Sequence, residues 1–467
     1  MRTQVSIDGN RFLINGQDPY PNGRPEIAGK GILLNVRAVN ALFDDDGSYV
    51  KDYWSDPRVN PNVGYDRGLF GTWDPEDNTR RLLIALPSWR AMGVRAITIN
   101  FQGGGPLYPY TEEYYGLNIR QMVENNGFTR EGVLKPAFAS RAEKIITRAD
   151  ELGMVVIVGL FYLAQQGKMS NEAIRQAVHN VSAWIVEKGF RNVLIEIANE
   201  NSNDPKWREV LRADYVHELF DIVHSYRYSD GSPLLVSTSL LNHTDWSLPR
   251  NKDKADFVLI HLNGKSVEEG KRIIADVHRY VDYKKPVMVN EDAGTTDGGP
   301  GVIDGITYVG WAYPPAIEKF DAAVLCHAGW GYYGQYFKQS MPNNWEIYRR
   351  NGNEQELDIF ERFAYWAGLI PKDAEGPVIL AINNLTEGAV VKDKVYVSAT
   401  VVHPLGWRHI SRVEFYLDDE SIPVWIDEEP PYYLGGDLFR GPHGFDMTSL
   451  EEGQHRLKVR AIDVAGH

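Results

Sequence analysis

One cysteine, Cys326, stands in a chain of 467 residues. An intrachain disulfide is therefore impossible, and no zinc site can be assembled from thiolates. Basic residues are in deficit: 49 Lys and Arg face 63 Asp and Glu, for a net charge of −14. That balance argues against a nucleic-acid footprint and against attraction to an anionic membrane surface. No apolar run approaches the length needed to span a bilayer. The start, MRTQVSIDGNRFLING, lacks the apolar core of a signal peptide. The cluster Gly103-Gly104-Gly105 is not followed by Gly-Lys-Ser/Thr, so it is no phosphate loop. Asp44-Asp45-Asp46-Gly47 lacks the alternating ligands and closing glutamate of an EF-hand loop, and no metal is expected there.

Aromatic residues are plentiful: 12 Trp, 25 Tyr and 17 Phe. Trp and Tyr join a flat apolar face to a polar edge, a surface on which sugar rings can stack. Short apolar runs recur along the chain: Gly31–Val39, Val94–Phe101, Met154–Tyr162, Asn192–Asn201, Leu234–Leu240, Asp256–Leu262, Pro286–Asn290, and Asp321–Ala328 leading into Gly329-Trp330. Between them lie stretches with helical periodicity, over Thr79–Met92, Ala137–Leu152, Asn171–Lys188, Trp207–Tyr226 and Val267–Val281, with a last helix near 354–367. Eight such strands alternating with helices predict an α/β fold, a closed parallel (β/α)8 TIM barrel. Val5–Asn15 breaks at Asn15-Gly16 and reads as a hairpin laid under that barrel. The segments 44–77 and 101–135, rich in Tyr, Trp, Gly and Pro, read as functional loops.

Near Pro371 the pattern changes. KDAEGP reads as a linker, and short alternating runs follow at 395–401, 413–417 and 455–461. They predict a C-terminal all-β sandwich over 372–467, after a barrel with its N-terminal hairpin over 1–371.

Two barrel strands, the fourth and the seventh, end in glutamate: Glu200 and Glu291. Strand carboxyl ends are where parallel barrels carry their chemistry. Cleavage of a glycosidic bond needs a pair of carboxyl groups, one to protonate the leaving oxygen and one to attack the anomeric carbon or activate water. Two nearby carboxylates resist ionising together, which divides the labour between them. Glu196 shares the strand parity of Glu200 and should point into the barrel one layer down. A buried carboxylate wants a partner, and Arg37 or Arg95 is the expected one. Asn35, Asn100 and Tyr162 sit at strand ends and are candidates to line the cleft, and Trp54, Trp73, Trp311 and Tyr313 fall in loops of the same face.

NVLIEIANEN followed by KPVMVNEDAG resembles the retaining glycoside hydrolases of clan A, especially family 5, the cellulase-like group. The resemblance covers about residues 5 to 370 in layout and is specific at the two glutamates and their flanks. It implies a hydrolase acting on β-linked poly- or oligosaccharide by double displacement, without metal or organic cofactor. Glu200 is then the general acid/base and Glu291 the nucleophile. Asn199 would contact the sugar 2-hydroxyl, His261 matches the strand-six histidine, and Trp330 matches the strand-eight tryptophan that stacks under the sugar. The chain departs from the pattern in places. Asn201 replaces a proline, Asp292 follows Glu291 where phenylalanine is usual, and Asn263 stands where a tyrosine is common. Thr98 occupies the place of the family arginine, for which Arg37 or Arg95 could compensate. A non-catalytic carbohydrate-binding protein on the same barrel and a transglycosylase are the alternatives. The C-terminal part resembles the immunoglobulin-like modules appended to bacterial glycosidases. That context implies a secreted or periplasmic location with the leader absent from this chain, the cytoplasm also being open. The implied partner is carbohydrate, with no nucleic acid and no membrane.

Overall fold

In the computed structural model, all residues are described except 45–73, 104–124, 293–300, 304–305, 309–316, 335–337, 339–344, 348–353, 372, 419–420, 439–440 and 449. Two compact units emerge. The first holds Met1–Pro21, Pro25–Thr79 and Arg95–Asn343, and the second holds Asn22–Arg24, Arg80–Val94 and Asn344–His467.

The first unit opens with the hairpin β1 (Val5–Asp8) and β2 (Arg11–Ile14). Strand β3 (Leu34–Arg37) follows, then helix α1 (Pro75–Ala91), which passes into the second unit. Next come β4 (Ala96–Asn100), α2 (Pro136–Glu151), β5 (Val155–Tyr162), α3 (Asn171–Lys188), β6 (Val193–Asn199), α4 (His217–His224) and β7 (Leu235–Ser237). The run closes with β8 (Val258–His261), α5 (Val267–Tyr280), β9 (Val287–Asp292), α6 (Ile317–Leu325) and β10 (Gly329–Tyr332). The helices start and stop where capping chemistry dictates. Ser170 accepts the N–H of Ala173 to cap α3, and Gly189 ends that helix in the left-handed region at φ 70°. Ser266 and Glu269 form a reciprocal capping box on α5.

Eight parallel strands pair in the order β7-β6-β5-β4-β3-β10-β9-β8. The two ends meet through a bridge between Ser239, just beyond β7, and Leu259 of β8. Ser237 Oγ donates to Phe257 O at 2.6 Å across the same seam. The result is a TIM barrel, as the alternation of strands and helices implies. Its floor is dry. Val5, Phe12 and Ile14 of the hairpin pack in one cluster with Ala96, Val155, Ile157, Leu194, Leu259 and Met288 from the strands above. The layer over that floor is polar: Asn35, Thr98, Glu196 and Asn290 are buried there.

Two expectations need correction. Asp321–Ala328 is not the eighth strand. Ile317–Leu325 forms helix α6, and the strand begins at Gly329. A run as short as DAAVLCHA does not separate a buried helix from a buried strand. The glycines after it do carry the strand: a Cβ on Gly329 would lie 2.5 Å from Leu33 O, and one on Gly331 2.2 Å from Asn290 O. The helix expected over Trp207–Tyr226 is α-helical only over His217–His224, preceded by a 3-10 turn at Glu209–Leu211.

The second unit contains α7 (Glu354–Trp366) and antiparallel strands. β11 (Val378–Asn383) pairs with β12 (Ser398–Val402), which pairs with Tyr432–Tyr433. A second sheet has β13 (Ile410–Leu417) between β14 (Trp425–Asp427) and β15 (Leu457–Asp463). These separate antiparallel sheets make the C-terminal part a β-sandwich. No helix among the described residues is long and apolar enough to cross a membrane.

Candidate active site

Strand β6 is buried along all seven residues, and Glu200 is the first residue beyond it. Its backbone adopts φ 55°, in the left-handed region that side chains other than glycine seldom occupy. Such outliers persist where surrounding contacts hold them, and they cluster at functional sites. Here the Glu200 N–H donates to Ser239 Oγ at 3.1 Å. The next residue is tied as well, through Asn201 N to Ser239 O at 3.1 Å.

Glu291 reaches the site by a different device. On β8, Ile260 pairs with Val289 and the next residue, His261, pairs with Glu291. On the other side, Trp330 pairs with Val289 and Tyr332 with Asp292. Strand β9 thus carries one extra residue relative to both neighbours, a bulge beside the site. Its effect is to set Asn290 against the barrel interior and Glu291 beside His261.

Six of the residues expected at the site come together. Glu200 and Glu291 bring carboxylate oxygens within 4.8 Å of each other. Asn263 Nδ2 donates to Glu291 Oε1 at 2.6 Å and to Glu200 Oε1 at 3.3 Å. His261 Nδ1 lies 2.9 Å from Glu200 Oε1 and 3.6 Å from Glu291 Oε2. Arg37 Nη2 pairs with Glu291 Oε2 at 3.0 Å and donates to Asn199 Oδ1 at 2.8 Å. The Glu291 side chain is only 6% exposed against 34% for Glu200, so one carboxylate is enclosed and the other meets solvent. Burial acts against a charge on His261, but Glu291 and the hydrogen-bonded Glu200 outweigh it. The imidazole is held above the ordinary histidine value. Glu200, His261 and Glu291 offer donor atoms close enough together for a cation. The guanidinium on Glu291 and an imidazole biased toward its protonated form tie the three into a hydrogen-bonded ion network.

The other expected residues stand on the surrounding strands, Tyr162 pairing with Asn199. Asn35 sits one layer down, donating from Nδ2 to Thr98 Oγ1 at 3.0 Å and to Asn290 Oδ1 at 3.1 Å. Asn100 is buried against Gly159. Tyr162 is half-buried, and its N–H donates to Gln102. Trp330, expected as a sugar platform, is fully buried. It stacks on Phe320 of α6 with ring centroids 4.3 Å apart, and its Nε1 donates to Asp292 Oδ2 at 3.0 Å. The ring thus packs between β10 and α6. The expected arginine partner of Glu196 is also corrected. Glu196 accepts from Ser239 Oγ and Asn290 Nδ2, while Arg37 serves Glu291 and Arg95 donates to Pro19 O. Trp54, Trp73, Trp311 and Tyr313 lie outside the described residues, as do Asp45–Gly47. Asp44 pairs with Arg141.

Three contributors were not read from the sequence: Ser239, Asn290 and Lys319. Ser239 and Asn290 are small polar residues near strand carboxyl ends, in LLVSTSL and PVMVN, and that position is their only signal. Lys319 of α6 pairs with Asp292, both fully buried, and donates to Leu262 O at 3.0 Å. Burial raises the Asp292 carboxyl to about 6, with Lys319 and Trp330 acting against the rise.

No known family's sequence profile matches the chain, and no curated protein matches it. Among solved structures, the chain is similar to one described as a glycoside hydrolase, at 11% identity and TM-score 0.46, covering 100% of this chain and 98% of that one. It is similar to a glycoside hydrolase family 5 protein from Bacteroides vulgatus at 11% identity and TM-score 0.46, covering 99% and 94%. It is similar to the endo-β-1,4-mannanase of Thermotoga petrophila at 15% identity and TM-score 0.39, covering 82% and 94%. Likenesses at this level bear on neither activity nor substrate.

Proposed function

We propose that the chain is a retaining glycoside hydrolase that cleaves β-linked poly- or oligosaccharide. The observation that carries this reading is the pair Glu200 and Glu291 at the barrel mouth, with carboxylate oxygens within 4.8 Å. Retaining enzymes hold their carboxyl groups about 5–5.5 Å apart, whereas inverting enzymes leave about 6.5–9.5 Å to admit a water between sugar and base. The spacing here supports direct attack.

In this reading Glu291 is the nucleophile. Arg37 and Asn263 hold its two oxygens and aim one at the anomeric carbon. Glu200, the more exposed carboxyl, protonates the glycosidic oxygen as the C–O bond breaks, and a glycosyl ester forms on Glu291. Glu200 then takes a proton from water, the water attacks the anomeric carbon, and the ester bond to Glu291 breaks with net retention. His261 and Asn263 orient Glu200 between its two duties. Asn199 spends Oδ1 on Arg37 and would offer Nδ2 to a sugar hydroxyl. Residues 1–371 would form the catalytic part and 372–467 a supporting immunoglobulin-like module.

The test is a panel of aryl β-glycosides and β-linked polysaccharides. Turnover by the wild-type chain, loss of that turnover in Glu291→Ala, and partial recovery with added azide are the expected results. Full activity in Glu291→Ala would remove the assignment.

A further inference from the structure

We propose that Glu196 is a positioning residue that sets the acid/base and the nucleophile in place relative to one another. This rests on the reading of Glu200 and Glu291 given above. Glu196 is wholly buried in the interior of β6, one layer beneath the site. Its two oxygens divide between the segment just after β7 and strand β9. Oε1 accepts from Ser239 Oγ at 2.5 Å, and Oε2 accepts from Asn290 Nδ2 at 3.2 Å.

Each contact leads to one catalytic residue. The Ser239 hydroxyl has a single proton, and at 2.5 Å Glu196 is a nearer acceptor than Ala198 O at 3.2 Å. With its proton committed to Glu196, Ser239 Oγ presents a lone pair to the N–H of Glu200 at 3.1 Å. That contact holds Glu200 in its left-handed backbone. On the other side, Asn290 directly precedes Glu291 at the bulge. Its Oδ1 accepts from Asn35 Nδ2 at 3.1 Å, which turns Nδ2 toward Glu196, while the Thr98 hydroxyl lies 3.3 Å from both Asn290 Oδ1 and Asn35 Oδ1. Both contacts find an acceptor at residue 196, whereas an amide offers only one, so with glutamine the Ser239 proton turns to Ala198 O or the Asn290 contact is lost.

Glu196→Gln keeps the volume and sets an N–H2 against either Asn290 Nδ2 or the Ser239 hydroxyl proton. Reacting groups displaced by about 1 Å lose on the order of 100-fold in rate. On the aryl β-glycoside that the wild type turns over best, Glu196→Gln should lower kcat by on the order of 100-fold and change KM by less than about threefold. Adding Asn290→Asp restores an acceptor opposite the glutamine amide and should recover at least about tenfold of kcat. A space-filling role for Glu196 moves neither quantity. A second readout needs no turnover. In a crystal structure of Glu196→Gln, the Glu200 backbone should leave φ near 55° and the His261–Glu200 contact should open. If the wild type hydrolyses nothing in the panel, the proposed function fails while this structural measurement still decides the clamp. Should Glu196→Gln not fold, Ser239→Ala removes one hydroxyl from the same chain of contacts and is read the same way. An unmoved Glu200 together with wild-type kcat overturns the proposal.

Discussion

Histidine 261 gathers the site's charge onto one ring. Its Nδ1 faces both glutamates, and Arg37 shares Glu291 Oε2 with it. Burial lowers the affinity of the ring for a proton, and the two carboxylates more than reverse that effect, so the folded value stands above 6.5. The sign of the linkage follows. A histidine whose pKa is raised on folding contributes stability that is fully present below the unfolded value and is lost as pH rises through the folded value. Urea unfolding at closely spaced pH values should therefore show wild-type stability falling as pH climbs above about 6.5. The same series in His261→Gln should lack that component. Parallel curves would mean that the ring is neutral throughout, and its bond to Glu200 would then run from a neutral N–H.

At the scale of the strand, β9 shows how a single extra residue assigns three side chains. Strict alternation from Met288 would turn Glu291 toward the helices and Asp292 inward. The bulge reverses this, setting Glu291 beside His261 and Asp292 against Lys319 and Trp330. Breaking a buried ion pair from one side costs about 3–5 kcal/mol because the remaining charge has no partner. Lys319→Met should destabilise by about that amount. The loss should shrink below pH 6, since the Asp292 carboxyl, already raised to about 6, then takes up a proton. Lys319→Met with Asp292→Asn should recover most of the loss, because the amide oxygen can still accept from Trp330. Urea midpoints at pH 5 and pH 8 decide the matter; equal losses at both would show that the aspartate is not what Lys319 supports.

The same strand marks the boundary of what the sequence discloses. Apolar runs alternating with helical stretches announced the barrel, and a glutamate ending two of them announced the pair, because residue type and strand position survive in the string. The bulge in VMVNED does not, since pairing register belongs to the neighbours and not to the strand itself. The left-handed backbone of Glu200 was equally hidden, as asparagine and glycine favour that region and glutamate does not. Glu196 was read as a buried acid in need of a cation. Its partners are a hydroxyl and an amide from strands far away in sequence, and charge matching cannot find neutral donors. Trp330 shows the converse: a residue type that suits sugar stacking equally suits an interface with α6.

For the whole molecule, the instructive feature is that the second compact unit is assembled from separate stretches of chain. It unites Arg80–Val94 and Asn344–His467. Inside it, Trp89 Nε1 donates to Trp345 O at 2.9 Å, and its ring packs on Phe360 with centroids 6.1 Å apart. Asn384 Nδ2 donates to Ile84 O at 3.0 Å, and Ser88 Oγ lies 3.2 Å from Thr400 Oγ1. Trp407 Nε1 and Arg408 Nη1 converge on Asp358 Oδ1 at 2.8 and 2.7 Å. Ending the chain at Pro371 would keep the Trp89 contacts but strip Asn384, Thr400, Trp407 and Arg408 from Arg80–Val94 and α7. Apolar surface cut from its covering is an aggregation liability. The truncated chain should bind a hydrophobic dye in its native buffer, melt at lower temperature than the full chain and lose solubility, even where residues 1–371 carry every group that chemistry requires. A truncated protein that melts with the full-length one and stays dye-free would show that 372–467 is dispensable to the stretches it shares a unit with. Its role would then have to be sought in what it binds.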